Sequence, residues 1–216
     1  MKKIILSLAA VSSLGFAGGE IVPLIAVADD IDDTGFYLGA GISAMSSRES
    51  SVSMDIFNEK AGQDRLGNVA LQAGYIFNDY LAVEGRYGFG ITDEDKVEMN
   101  SQWSIFLKPM YKFEDDEDRA NGENYFAVYA LLGYGGVEFQ GINGVVADVD
   151  ESGFQWGLGL SYTFRETARH ENYKYKDSFT VYADYTSVGV DMDGLYYTGL
   201  GQVDADAFTV GVIYKF

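Results

Sequence analysis

The stretch Phe154-Gln155-Trp156-Gly157-Leu158-Gly159-Leu160-Ser161-Tyr162-Thr163-Phe164 alternates strictly between large apolar residues and small or polar residues. This alternation places the apolar residues on one face of a β-strand, whereas a helix needs them three and four positions apart. The stretch therefore predicts a long strand with one apolar face and one face of glycine, glutamine, serine and threonine.

The chain from Gly35 onward repeats this alternation in eight segments, which are separated by stretches rich in Asp, Glu, Asn, Ser and Gly. The segment 125–139 is apolar on both faces, so its register is not readable from the sequence. Strands of roughly 10 to 14 residues exceed the length usual in soluble sheets and reach the ~9 to 11 that a tilted membrane-spanning strand requires. The pattern predicts an all-β fold, an eight-stranded antiparallel up-and-down transmembrane β-barrel.

Composition excludes several classes of protein. The 216 residues include no cysteine and a single histidine, His170, so neither disulfides nor a thiolate or multi-histidine zinc site is expected. The formal net charge of −18 argues against nucleic acid as a partner, because phosphate binding needs clustered basic residues. The 47% of hydrophobic residues argues against wholesale disorder.

The amino terminus has the pattern of a secretory signal peptide. Lys2 and Lys3 precede an apolar stretch that is too short to cross a bilayer as a helix, and small residues suit cleavage after Ala17, with a second site after Ala28. We expect a signal peptide at 1–17, a short periplasmic segment of no evident chemistry at 18–34, and the barrel at 35–216.

Alternation alone does not say which face points outward. A soluble lipocalin-like barrel would bury the apolar face, whereas a membrane barrel turns it toward lipid. The apolar face is nearly free of charge, which favours the membrane barrel. Aromatic residues at the strand ends are also predicted to form a girdle at one rim. These residues are Phe36, Tyr75, Phe77, Tyr80, Tyr111, Phe113, Tyr125, Tyr162, Phe164, Phe179, Tyr214 and Phe216.

The last segment is apolar at every second position up to a terminal phenylalanine, at Phe208, Val210, Val212, Tyr214 and Phe216. This ending, with the glycine-aromatic stretches 34–41 and 129–136, resembles the small OmpA/OmpX/opacity-type outer-membrane β-barrel family. The resemblance implies residence in a Gram-negative outer membrane among lipid and lipopolysaccharide, with both termini in the periplasm. It also implies that the barrel-assembly machinery reads the terminal pattern as its signal.

With the apolar face outward, a set of polar residues points into the lumen. They are Gln72, Glu84, Arg86, Lys108, Gln155, Tyr182 and Asp184. Glu84, Arg86, Lys108 and Asp184 stand at one level, and their charges cancel. Since an eight-stranded barrel is just wide enough for side chains to fill it, we predict a polar plug rather than an open pore.

No catalytic, cofactor-binding or metal site is assigned. His170 is the one candidate general base for an acyl-modifying enzyme, but it lies in the connection 165–177, on the periplasmic side. The connections at the other rim, near 47–64, 92–99, 141–151 and 192–203, are acidic and are interpreted as solvated surface. We predict a structural or surface-interaction barrel; a small low-conductance channel and a soluble periplasmic lipocalin-like barrel are the alternatives.

Overall fold

A computed structural model describes residues 33–49, 53, 63–92, 97–141, 149–165, 177–194 and 201–216. Eight strands and one short helix make up these parts of the chain. The strands are β1 (Gly35–Glu49), β2 (Gln63–Asn78), β3 (Leu81–Gly90), β4 (Val97–Phe113), β5 (Tyr125–Gly141), β6 (Val149–Arg165), β7 (Ser178–Gly194) and β8 (Gly201–Lys215). The helix, α1 (Asp116–Asn121), lies between β4 and β5. No helix in the described chain is both long and apolar enough to cross a bilayer.

The strands form a closed antiparallel barrel in which each pairs with its neighbour in sequence and β8 pairs with β1. A tight turn at Asp79 and Tyr80 joins β2 to β3. At the start of α1 the Asp115 carboxylate accepts hydrogen bonds from the backbone of the first turn, and Gly122 ends the helix in the left-handed conformation. We call this end of the barrel the turn end and the opposite end the loop end.

In every strand whose apolar face is readable from the sequence, that face points outward. Leu71, Leu107, Leu158 and Val210, which a soluble barrel would pack inside, are all exposed on the outer surface. Glu84, Gln155 and Asp184 lie in the interior instead. This orientation confirms the membrane-barrel prediction and removes the support for the soluble lipocalin-like alternative.

Exposed aromatic rings form two belts around the barrel, as expected where amphipathic rings meet headgroups on both sides of a bilayer. The turn-end belt comprises Phe36, Phe77, Tyr80, Tyr111, Phe113, Tyr162, Phe164, Phe179, Tyr214 and Phe216, with Tyr75 packed between Phe36 and Phe77. The loop-end belt, which the sequence analysis missed, comprises Tyr87, Phe89, Trp103, Tyr134, Phe154, Trp156 and Phe208.

The placement of Tyr125 in the girdle is wrong. Its ring is buried in the lumen, where the Lys112 ammonium lies 5.0 Å and the Arg165 guanidinium 4.3 Å from the ring centroid. Cations over an aromatic face are a favourable arrangement in a low-dielectric interior. In β5, where the register was not readable, Tyr125, Tyr129 and Leu131 therefore point inward.

Luminal glycines make room for luminal tyrosines. A Cβ atom at Gly159 would overlap the Tyr129 ring, and one at Gly74 would overlap the Tyr37 ring. Each tyrosine thus lies across a glycine of a neighbouring strand, which explains why the inner face is rich in glycine although the lumen is filled.

The lumen is filled in three layers. A turn-end ionic cluster surrounds Asp33, a central network surrounds Glu84, and a loop-end apolar cluster lies above them. The apolar cluster comprises Met45, Leu66, Met99, Val137, Phe139, Val188, Val203, Ala205 and Ala207.

Candidate functional site

The Glu84 carboxylate is the centre of the central network and is fully buried. It accepts hydrogen bonds from the Tyr37 hydroxyl at 2.6 Å, from Arg86 Nε at 2.7 Å and from Lys108 Nζ at 2.8 Å. A buried carboxylate is tolerated only when it is paired and its lone pairs are satisfied. These three donors meet that requirement.

Arg86 extends the network across the lumen. Its two terminal nitrogens donate to the two oxygens of Asp184, at 2.9 and 2.6 Å, in the forked geometry that makes arginine–carboxylate pairs strong. The Tyr129 hydroxyl donates a further bond to Asp184 at 2.9 Å. Because β3 and β7 lie opposite each other in an eight-stranded barrel, the Arg86–Asp184 pair joins opposite walls.

The strand period explains how the site assembles. Glu84 and Arg86 are two positions apart in β3 and so share the inner face, while Lys108 comes from β4 and Asp184 from β7. Two carboxylates and two cations meet, and their formal charges cancel. Aromatic rings lie beside both cations. Lys108 Nζ lies 4.2 Å from the centroid of the Tyr129 ring, and the Arg86 guanidinium lies 5.6 Å from the centroid of the Phe106 ring.

The remaining predicted lumen residues, Gln72, Gln155 and Tyr182, are buried in the lumen but do not bond to the ions. Gln155 accepts a hydrogen bond from Ser104 at 2.6 Å and donates one to the Val188 carbonyl at 2.8 Å. The Tyr182 hydroxyl lies beside the Gln72 amide without a hydrogen bond of normal geometry. Tyr37 and Tyr129, which the sequence analysis did not select, are the better partners of the network.

The turn-end ionic cluster includes Asp33, near the end of the segment 18–34 for which the sequence analysis expected no evident chemistry; residues 18–32 lie outside the described part of the chain. Asp33 is buried and accepts hydrogen bonds from Lys112 Nζ at 2.6 Å and from Arg165 at 2.5 Å. Arg165 also donates to Glu114 at 2.6 Å. Asp33, two positions before β1, is thus linked through Arg165 to the end of β6 and to the connection before α1. This cluster covers the lumen at the turn end.

Asp79 and Arg119 extend the cluster to the surface. Asp79 accepts from Lys112 at 2.9 Å and from Arg119 at 2.5 Å. In the acidic stretch 114–118, Glu114 pairs with Arg165, Asp115 caps α1, and the remaining residues form the first turn of this helix.

The protonation states of the cluster follow from these contacts. Burial raises the pKa of Asp33, but the positive charges and hydrogen bonds of Lys112 and Arg165 outweigh it, so the pKa falls from its ordinary 3.8 to about 2. Partial burial raises the pKa of Asp79, but the hydrogen bonds and positive charges of Arg119 and Lys112 outweigh this effect, so the pKa of Asp79 is also lowered. Hydrogen bonding to Asp79 raises the pKa of Arg119.

The strands extend further into the loop-end connections than predicted. Strand β8 begins at Gly201, within the predicted connection 192–203, and its residues Asp204 and Asp206 both pair with Arg48 of β1. The Tyr185 hydroxyl also donates to Asp206 at 2.5 Å. Among the residues with described side chains, no cluster of possible metal ligands is present.

The predicted assembly signal lies on the outer face of β8. Phe208, Val210, Val212, Tyr214 and Phe216 are all exposed there, beside β1. Its recognition by the assembly machinery stays a prediction. The predicted signal peptide 1–17, His170 and most of the loop-end connections lie outside the described residues.

Comparison with known proteins gives one family. Residues 8–216 match the family model described as outer membrane protein beta-barrel domain. No match was found among curated protein sequences.

Several solved structures are similar in fold. The neisserial surface protein A shares 18% identity, with a TM-score of 0.46 and coverage of 84% of this chain and 97% of that chain. Ail of Yersinia pestis, solved in complex with the heparin analogue sucrose octasulfate, shares 15% identity with a TM-score of 0.46, covering 86% of this chain and all (100%) of that one. OprG of Pseudomonas aeruginosa shares 16% identity with a TM-score of 0.43, covering 85% and 96%.

Proposed function

The chain belongs to the outer-membrane β-barrel family as an integral membrane protein, and from this premise we propose that it is a structural or surface-interaction barrel with a plugged lumen. The observation that carries the proposal is the forked pair between Arg86 and Asp184, which joins opposite walls of the barrel. Glu84 and Lys108 complete a charge-neutral layer. No catalytic role is assigned.

The layer is suited to block ions rather than to conduct them. Its charges are paired with one another, so a permeating ion would have to separate pairs that are screened very little in this interior. The Asp33 cluster then forms a second obstruction at the turn end. Both layers must be crossed by any ion that follows the barrel axis.

Planar-bilayer recording tests the plug directly. We expect the unaltered protein to give no steady current, and Arg86→Ala to give discrete conductance steps because it removes the link between opposite walls. Arg119→Ala is the matched control, since that arginine pairs with Asp79 near the surface and not in the central network. Steady current through the unaltered protein, or a silent Arg86→Ala variant, would contradict the proposal.

A low-conductance channel is the second candidate, and small cavities on either side of the network favour it. One of about 10 Å³ is lined by Ser43, Asn68 and Arg86, and another of about 50 Å³ by Lys108, Tyr129 and Ser161. A rearrangement of the network would join them. Rare, brief openings of the unaltered protein that vanish when the network is cross-linked would favour this candidate.

The surface role is proposed for the loop end, which we place outside the cell, with the turn end in the periplasm. The apolar outer face would then contact membrane lipid and lipopolysaccharide, and the connections of the loop end would meet extracellular partners. Deletion of the connections 50–62 and 195–200 tests this role. Unchanged binding to host cells after both deletions would contradict it.

A further inference from the structure

The residue just ahead of β1 reaches across the mouth of the barrel at the turn end. The Asp33 carboxylate accepts hydrogen bonds from Lys112 of β4 at 2.6 Å and from Arg165 of β6 at 2.5 Å. Strands β4 and β6 flank β5, which lies opposite β1 in the closed order of eight strands. A side chain carried by one wall is therefore held by the opposite wall.

Gly35 lies between Asp33 and the regular part of β1. Its φ of 143° lies in the region that favours glycine, so the backbone departs from strand geometry at this residue. A Cβ atom here would also lie 3.1 Å from the carbonyl oxygen of Phe216, on the neighbouring end of the chain. A larger residue at this position would thus be both strained and crowded, which would displace Asp33 from its partners.

A luminal chamber of about 50 Å³ lies between this crossing and the central network. Lys108 and Tyr129 of the network line one end of the chamber, and Tyr125 lines the other. The Tyr125 ring contacts both Lys112 and Arg165, so the partners of Asp33 lie directly above the chamber. The chamber is large enough for a few water molecules, each of which needs about 10 to 15 Å³. Its wall also carries the hydroxyl groups of Ser161, Thr163, Ser178 and Thr180.

We propose that Asp33 is a latch that shuts this chamber from the turn-end side, and that its brief release admits small solutes while the central network stays closed. Both hydrogen bonds of the Asp33 carboxylate go to residues outside the central network. The network itself is tied between β3 and β7 by Arg86 and Asp184, so the two ties join different walls. Local opening of one therefore leaves the other intact. This inference goes beyond the proposed function, since it concerns access from the turn end and not passage through the centre.

Single cysteines test the latch, because the chain has no cysteine of its own. Ser161→Cys places a thiol on the chamber wall with little change in size. The folded protein in detergent micelles, where both ends are accessible, is treated with a methanethiosulfonate that carries a quaternary ammonium group. Mass spectrometry then gives the rate at which the thiol is modified.

Asp33→Asn keeps the size of the side chain but removes the charge that holds the latch. We expect this variant to raise the rate of modification at Ser161→Cys about ten-fold or more, because two charge-assisted hydrogen bonds are weakened. Loss of a negative charge by itself disfavours a cationic reagent, so a faster reaction reports opening and not attraction. An unchanged rate overturns the proposal.

Asp79→Asn is the matched control for the latch. Asp79 also accepts a hydrogen bond from Lys112, at 2.9 Å, but it lies in the turn between β2 and β3 and does not tie β1 to the opposite wall. We expect it to change the rate at Ser161→Cys by less than about two-fold, since its pairs are partly exposed. Equal acceleration by Asp79→Asn and Asp33→Asn would overturn the proposal, because it would show a general loosening of the cluster.

A second thiol separates the latch from the central plug. Ser43→Cys lines the cavity on the loop-end side of the network. With Asp33→Asn its rate of modification should stay within about two-fold of the rate with Asp33, because the network remains closed. Equal acceleration at Ser43→Cys and Ser161→Cys would overturn the proposal. A current through the unaltered protein would contradict the plug but would leave the result at Ser161→Cys unchanged.

Gly35→Ala keeps the test decisive if Asp33→Asn does not fold. The variant leaves the carboxylate intact but strains the backbone that carries it, so the rate at Ser161→Cys should rise several-fold. Gly85→Ala is its control, because a Cβ atom at Gly85 would make only ordinary contacts, at 3.8 and 3.9 Å. Heat-modifiable gel mobility verifies that each variant is folded. A folded Gly35→Ala protein that reacts no faster than the Gly85→Ala protein overturns the proposal.

Discussion

Replacement of Glu84 by glutamine tests the energetic weight of the central network. The substitution keeps the size of the side chain but removes the charge that Arg86 and Lys108 share. Asp184 remains, so two cations face one carboxylate in an interior where Glu84 has no exposed surface. Removal of one partner of a buried ion pair typically costs about 3 to 5 kcal/mol, because the remaining charge stays buried without compensation.

Equilibrium unfolding in urea from lipid vesicles, followed by tryptophan fluorescence, measures this loss. With a denaturant slope of about 2 to 3 kcal/mol/M, the expected loss lowers the midpoint by about 1 to 2.5 M. The double variant Glu84→Gln, Lys108→Met restores charge balance and should recover part of the stability, with a coupling above about 1 kcal/mol. Asp79→Asn is the control, and its partly exposed pairs should contribute about 1 kcal/mol or less. A loss for Glu84→Gln no larger than for this control would refute the reasoning.

Two further substitutions examine the turn end of the barrel. Because the pKa of folded Asp33 is about 2 against an ordinary 3.8, its contribution to stability is present at neutral pH and is lost as the pH falls from about 4 to 2. The shift corresponds to about 2 kcal/mol, so Asp33→Asn should flatten the dependence of the urea midpoint on pH in this window, and an unchanged slope would count against the Asp33 cluster. Phe216→Ser should reduce several-fold the amount of folded, heat-modifiable protein in the outer membrane if β8 carries the assembly signal. Phe164→Ser removes an equally placed ring from β6, and an equal reduction there would argue against a terminal signal.

The orientation and most of the strand pattern were predictable because one rule, the alternation of lipid-facing and luminal side chains, acts along the strands. In β6 the alternation from Phe154 to Phe164 separates lipid-facing rings from luminal glycines, so face and register follow from the sequence. The same alternation identified Glu84, Arg86, Lys108 and Asp184 as residues that point into the lumen. Their pairing across the lumen followed from the need to neutralise buried charge.

The rule fails where luminal residues are themselves aromatic. In β5, Tyr125 and Tyr129 point inward and Phe126 and Val128 outward, so both faces read as apolar. What distinguishes them is a partner on another strand, such as Gly159 beneath the Tyr129 ring. Such a pairing depends on the closed register and is not visible within the segment.

Asp33 was missed for a related reason. It lies in an acidic stretch without periodicity, and its partners Lys112 and Arg165 are 79 and 132 positions away. Only the closure of β1 against β8 and the turn-end packing bring them together.

Spin labels on the outer face test the orientation on which the whole account depends. The chain has no cysteine, so single cysteines at Leu71, Leu107, Leu158 and Val210 can each carry a nitroxide in lipid vesicles. The account predicts that all four labels collide readily with oxygen, which dissolves in the bilayer, and poorly with a water-soluble nickel complex. Labels shielded from both reagents, as in a packed apolar interior, or reached mainly by the nickel complex, would contradict it.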